Sequence, residues 1–173
     1  MQTPLDQVAR EIDRHAGSRG WDQPPRVYAL ADTAELARRE PALAAQLGMA
    51  ESGSADGGLT PIEQEPLPSD RPLDDVLATI TWPPEVIGCA LVIESLVLPP
   101  SAEADLPDPA ETDVAAWVAS HPDRRDVRIT VAVLRDGTRE CVVRLRDHDT
   151  DASVLSGADI APALGDALAT TLD

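Results

Sequence analysis

The chain has 173 residues, about one domain's worth, and long enough to bury a core without disulfides or metals. Its 14 basic residues stand against 31 Asp and Glu, for a net charge of -17 and a pI near 4.3. That excludes a nucleic-acid binder of the basic type, whose affinity comes from neutralising phosphates, and argues against docking on anionic lipid; a hydrophobic content of 43% argues against full disorder.

Taken in chain order, Thr3 and Pro4 open a helix on which Leu5, Val8, Ile12 and Ala16 recur at helical spacing, and Gly17 ends it. Trp21-Asp22-Gln23-Pro24-Pro25 is a loop. Arg26 to Ala31 reads as a short strand with Val27 and Ala29 inward. Asp32 caps a second helix, with Glu35 placed for a capping box and Leu36, Leu43 and Leu47 as its apolar stripe. Pro41 should break or kink that helix. Residues 49–71 are rich in Gly, Ser and Pro and read as a long connection, extended near Leu59 to Glu65.

Pro72 to Ile80 predicts a short helix with Leu73, Val76, Leu77 and Ile80 on one face, and Trp82-Pro83-Pro84 turns the chain. Ile87 to Leu98 is the longest apolar run. Both of its faces are apolar, which predicts a central strand covered on both sides. An acidic loop follows, and Asp108 and Pro109 start a helix carrying Val114, Trp117 and Val118 that ends near His121-Pro122.

Residues 126–134 and 139–147 predict a hairpin, and its register can be argued. A two-residue Asp136-Gly137 turn would oppose Ile129 to Arg144 and mix the faces. A three-residue loop, Arg135-Asp136-Gly137, pairs Val131 with Cys141, Ile129 with Val143 and Val127 with Leu145. It also puts Gly137 where a positive φ is needed. A last helix starts near Asp159 and carries Ile160, Leu164, Ala167, Leu168 and Leu172, with Pro162 in its first turn. The order of elements predicts an α+β fold: a mainly antiparallel sheet with a hairpin at 126–147 in the C-terminal half, packed with about five helices in a single domain over 1–173.

Motifs for chemistry are sparse. Gly53, Gly57 and Gly58 have no preceding strand and no following Lys, since the chain contains none, so neither nucleotide fingerprint is met. There is no Gly-x-Ser-x-Gly elbow. Cys89 and Cys141 lie apart in apolar runs and read as buried, reduced packing residues. Asp147-His148-Asp149-Thr150-Asp151 could hold a hard cation, but Ala152 and Ala158 stand where a calcium loop needs Gly and Glu. His15 and His121 read as surface or helix-end residues. No metal or other cofactor is expected.

The strongest cluster is basic. The hairpin register sets Arg128 directly opposite Arg144, with Arg146 facing Asp126. Two opposed arginines repel, so water, a carboxylate from a covering helix or a bound anion must offset them. Trp21 and Trp82 lie in Pro-flanked loops and read as core plugs, or, where exposed, as marks of an interaction surface.

Several segments together resemble a known family: Trp21-Asp22-Gln23-Pro24, Arg39-Glu40-Pro41-Ala42-Leu43, Leu59 to Pro68, Gly88-Cys89-Ala90-Leu91-Val92 with Glu94, His121-Pro122-Asp123-Arg124, Leu134-Arg135-Asp136-Gly137 and Arg144 to Asp149. Nearly the whole chain is similar to an uncharacterised family of small single-domain proteins from high-GC Gram-positive bacteria. The absence of Phe, Lys and Asn agrees with such a codon bias. The resemblance implies a soluble domain and assigns no activity.

The function expected from the sequence is a non-catalytic cytoplasmic module that recognises a protein partner, alone or as a homodimer. Its candidate binding residues are Arg128, Arg144, Arg146, His148 and Trp21. Nucleic acid and membrane insertion are not expected, as residues 1–20 hold no apolar signal core. The rival is an enzyme or small-anion binder using the arginine face, with His148 as general acid or base.

Overall fold

The structure is a computed structural model that describes residues 3–39, 42, 58–68, 70–98, 104–108, 110, 112–150, 153–157 and 160–172. Thr3 sets the first helix, α1 (Pro4–Gly17). Its hydroxyl accepts the Asp6 N–H at 3.0 Å, and Pro4 sits where a missing N–H costs nothing. β1 (Arg26–Asp32) leads into α2 (Thr33–Arg39), and the Asp32 carboxylate caps that helix by accepting the Glu35 N–H at 2.9 Å. Helix α2 ends ahead of Pro41; Leu43 and Leu47 of its expected stripe, like the Leu36 side chain, lie outside the described residues.

β2 (Leu59–Pro66) runs within the stretch expected as a connection. α3 (Leu73–Leu77) follows, then β3 (Gly88–Val97), α4 (Val114–Ser120), β4 (Arg125–Leu134) and β5 (Arg139–Leu145). A 3-10 turn, Arg146–His148, precedes β6 (Leu155–Ser156) and α5 (Pro162–Thr171). Among the described residues, five helices and a six-stranded sheet in which every pairing is antiparallel make the fold α+β. The strand order is β2-β1-β3-β4-β5-β6, so β3 is central.

The hairpin register is the expected one: Val131 pairs with Cys141, Ile129 with Val143, Val127 with Leu145 and Arg128 with Arg144. The loop closes through the Gly137 N–H on Leu134 O at 2.9 Å, with Gly137 at φ 94°. Other boundaries differ. The helix expected from Asp108 starts at Val114, because Asp108 caps a separate turn at Ala110 while Asp113 caps the helix itself. The last helix starts at Pro162 rather than near Asp159, leaving Ile160 outside it and exposed. β5 stops at Leu145, two residues early, where the chain turns into the 3-10 helix.

Both faces of the sheet are covered. Leu5, Val8, Ala9 and Ile12 of α1 pack on Tyr28, Leu30, Ala90, Val92, Ala132 and Val142. On the other face Leu77 of α3, with Leu168 and Leu172 from the C-terminal segment, packs on Val27, Leu91, Val131 and Val133. Both cysteines lie in this second layer, free and buried, and burial pushes the Cys141 thiol up to about 11. The β2 edge is blunted. The Thr33 N–H bonds Gly58 O, which puts Leu30 and its partner Pro61 in a pair without hydrogen bonds and turns the Pro61 nitrogen outward.

Candidate functional site

β3 and β4 have ten residues each, about 33 Å of strand, whereas the 14 residues of α1 span about 21 Å. Helix α1 therefore stops short, and the sheet overhangs it. Three rows of side chains on this face are set by register: Val92 beside Thr130, Glu94 beside Arg128 and Arg144, then Leu96 beside Asp126.

The loop after α1 folds down over the middle row. The Trp21 ring stacks on the Arg128 guanidinium, 4.4 Å from centroid to Cζ, and lies 5.4 Å from that of Arg146. Asp22 takes a left-handed φ of 67°, a conformation that Asp tolerates better than most residues. The N–H groups of Asp22 and Gln23 both donate to the Glu94 carboxylate, each at 2.7 Å. This is a small backbone nest closed on a side-chain anion.

The two opposed arginines are offset differently. Arg144 receives a helix carboxylate, one of the three offsets expected: Nε and Nη2 donate to Asp13 Oδ2 of α1 at 2.9 and 2.7 Å, and Nη1 donates to Asp149 at 3.1 Å. Asp149 also accepts the Trp21 indole N–H at 3.0 Å. That bond first, and Arg144 after it, hold the Asp149 carboxyl below its ordinary range.

Arg128 is 1% exposed and forms no carboxylate pair among the described residues. Its Nη2 donates to Gly20 O at 2.7 Å, and Nη1 lies against Gly17 at the negative end of the α1 dipole. Carbonyl, dipole, Trp21 π-face and neighbouring Glu94 together offset the charge. Nη1 has no hydrogen-bond partner among the described residues, and the cavity beside it is about 20 Å³. That volume is about one water, too small for a phosphate.

Arg146, more exposed, is clamped by both oxygens of Asp22 at 3.0 and 3.2 Å and touches Asp126 at 3.5 Å. This pairing holds the Asp22 carboxyl low and the Arg146 guanidinium high. His148 ends the 3-10 turn, and its side chain lies outside the described residues, as does Asp151. Trp82 plugs the opposite layer, donating to Thr171 Oγ1 at 3.0 Å.

Sequence reasoning missed a second cluster. Glu63 on β2 gathers Arg19, Arg26 at 3.0 Å and His15 at 3.7 Å, tying the edge strand to the end of α1. Arg19 above all holds the Glu63 carboxyl low, while burial, then Glu63, pushes the Tyr28 hydroxyl up. No local signal links Glu63 to residues about 40 positions away.

The last row stays open. Leu96, 37% exposed, floors a groove of about 540 Å³ walled by Val118 of α4, Glu94, Asp126, Asp22 and Arg146. No three metal-ligating side chains converge among the described residues, and no described helix is long and apolar enough to cross a membrane.

The molecule thus defines an antiparallel α+β protein whose arginine row is largely offset from within. Its sequence matches the PPA1309-like protein family over residues 5–173, and the chain belongs to that family, whose name carries no activity. No curated protein and no solved structure matches it.

Proposed function

We propose that this protein is a non-catalytic binding module that recognises a protein partner through the overhang of β3 and β4, in the cytoplasm of a high-GC bacterium, folded as one domain. The observation that carries this reading is the 540 Å³ groove floored by exposed Leu96. Its size suits a docked ligand or peptide side chains. Of the residues expected at the interface, Arg146 lines the groove, and Trp21 packs against Arg146 and the buried Arg128 beside it.

The small-anion reading has less support. Arg144 and Arg146 already hold carboxylates, and Arg128 lies under Trp21. The test is site-specific cross-linking in cells. A photo-reactive residue replaces Leu96 in one variant and exposed Glu11 of α1 in another. A discrete adduct at position 96 and none at position 11 is the expected result, and an adduct of two copies of the chain would make the partner a homodimer. No adduct at 96, or the same adducts at both positions, overturns the reading.

A further inference from the structure

Resting on the partner-binding reading, we infer that the groove takes a short segment of a partner that places one large apolar side chain beside an Arg or Lys. The apolar half of the argument is the floor. Leu96 is a strand residue left uncovered because α1 ends a row earlier, and half-buried Val118 faces the same space from α4. An apolar side chain laid between them removes both from water.

The charged half is the wall. Three carboxylates, Asp22, Glu94 and Asp126, meet a single guanidinium, Arg146. Glu94 is occupied by two backbone N–H groups and Asp22 grips Arg146 with both oxygens. Asp126 touches Arg146 through one oxygen only, at 3.5 Å, the loosest of these contacts. It is the carboxylate best placed to take an incoming cation.

Arg146 itself shows that a guanidinium fits this wall. In sequence, residues 99–113 between β3 and α4 hold five acids and no basic residue. An acidic or phosphorylated segment would meet like charge here, which opposes docking; a basic one meets a complementary field.

The experiment is selection of a random peptide display library on the full chain. Selected peptides are then titrated by fluorescence anisotropy against the parent chain and against Leu96→Ser and Asp126→Asn. Both positions are solvent-accessible, and an unchanged urea midpoint confirms that each variant folds. The expected consensus sets Leu, Phe or Trp within two residues of Arg or Lys. Leu96→Ser should weaken binding about 10-fold or more, and Asp126→Asn by about 3- to 10-fold with a shallower salt dependence.

An acidic or uncharged consensus, or binding indifferent to both substitutions, overturns the inference. So does a failure to enrich any peptide. If the adduct at position 96 still forms in those cases, the partner-binding reading survives and only the occupant is wrong. If it does not, both fall.

Discussion

Arg144 is buried because Asp13 is buried with it: their side chains are 6% and 1% exposed. Removing one member of such a pair strands a charge in low dielectric, which costs about 3–5 kcal/mol. Asp13→Ala should therefore lower stability by about 3 kcal/mol, the lower end, since Asp149 still holds Arg144. Asp13→Leu combined with Arg144→Met should recover most of the loss, because the pair's desolvation cost leaves with it. Urea unfolding of the three proteins checks this; a loss under about 1 kcal/mol for Asp13→Ala would show the pair to be solvated. Glu140, on the same strand, behaves in the opposite way. Burial first, then neighbouring Asp6, pushes its carboxyl up, Arg10 pulls it down, and Oε2 has no hydrogen-bond partner among the described residues. A carboxyl whose folded pKa lies above its unfolded value contributes stability fully present below the unfolded pKa, and that contribution is lost as pH rises through the folded pKa. Glu140→Gln should thus be nearly neutral near pH 4 and raise Tm at pH 7, as read by thermal melts at both. Asp22, Glu63 and Asp149 are lowered instead. Their stabilisation is present above the unfolded carboxylate range and disappears as pH falls through the folded values.

Between β3 and β4 the backbones approach so closely that a Cβ at Gly88 would lie 2.5 Å from the Val133 carbonyl oxygen. Backbone cannot rotate aside as a side chain can, so Gly88→Ala should cost about 2–3 kcal/mol. At Gly137 nothing lies within 4 Å and only the φ of 94° resists a side chain, so Gly137→Ala should cost about 1 kcal/mol. Melting temperatures should rank the parent first, then Gly137→Ala, then Gly88→Ala; the reverse order of the two variants would mean the strand pair relaxes freely. The same elements show what a sequence can disclose. The hairpin register was legible because a one-residue slip turns every apolar side chain to the wrong face, and that register set Arg128 against Arg144. Helix α1 was legible from its cap and its apolar spacing. Strand β6 was not, because two residues cannot display an alternation. The start of α4 was misplaced because Asp108 and Asp113 are both competent caps and only the later one opens the helix. The need for water, a carboxylate or an anion beside the opposed arginines could be argued, but that Arg144 meets Asp13 depends on which helix crosses the sheet. That is tertiary information, and the same holds for the Glu63 cluster and for the open row at Leu96.

At the scale of the whole molecule the net charge of -17 is distributed unevenly. Residues 40–123 hold Arg71 alone against sixteen acids, and residues 124–149 hold half of all Arg. Arg139, Arg144 and Arg146 are each ion-paired within the chain, whereas Arg124, Arg125 and Arg135 are exposed. The groove itself is lined by three carboxylates and Arg146, on a chain that is acidic as a whole. A field of this kind acts before contact: it speeds the diffusional approach of a cationic segment and is screened over about 8 Å at physiological salt. Contacts in the groove act after approach and set how long the complex lasts. The two can be separated with one selected basic peptide in stopped flow. Raising NaCl from 20 to 500 mM should lower its association rate by about 10-fold or more while changing dissociation little. Leu96→Ser should do the converse, speeding dissociation at every salt concentration. A salt-independent association rate would mean that the acidity of the chain serves solubility alone, and that whatever settles on Leu96 is selected by its apolar contacts and not by charge.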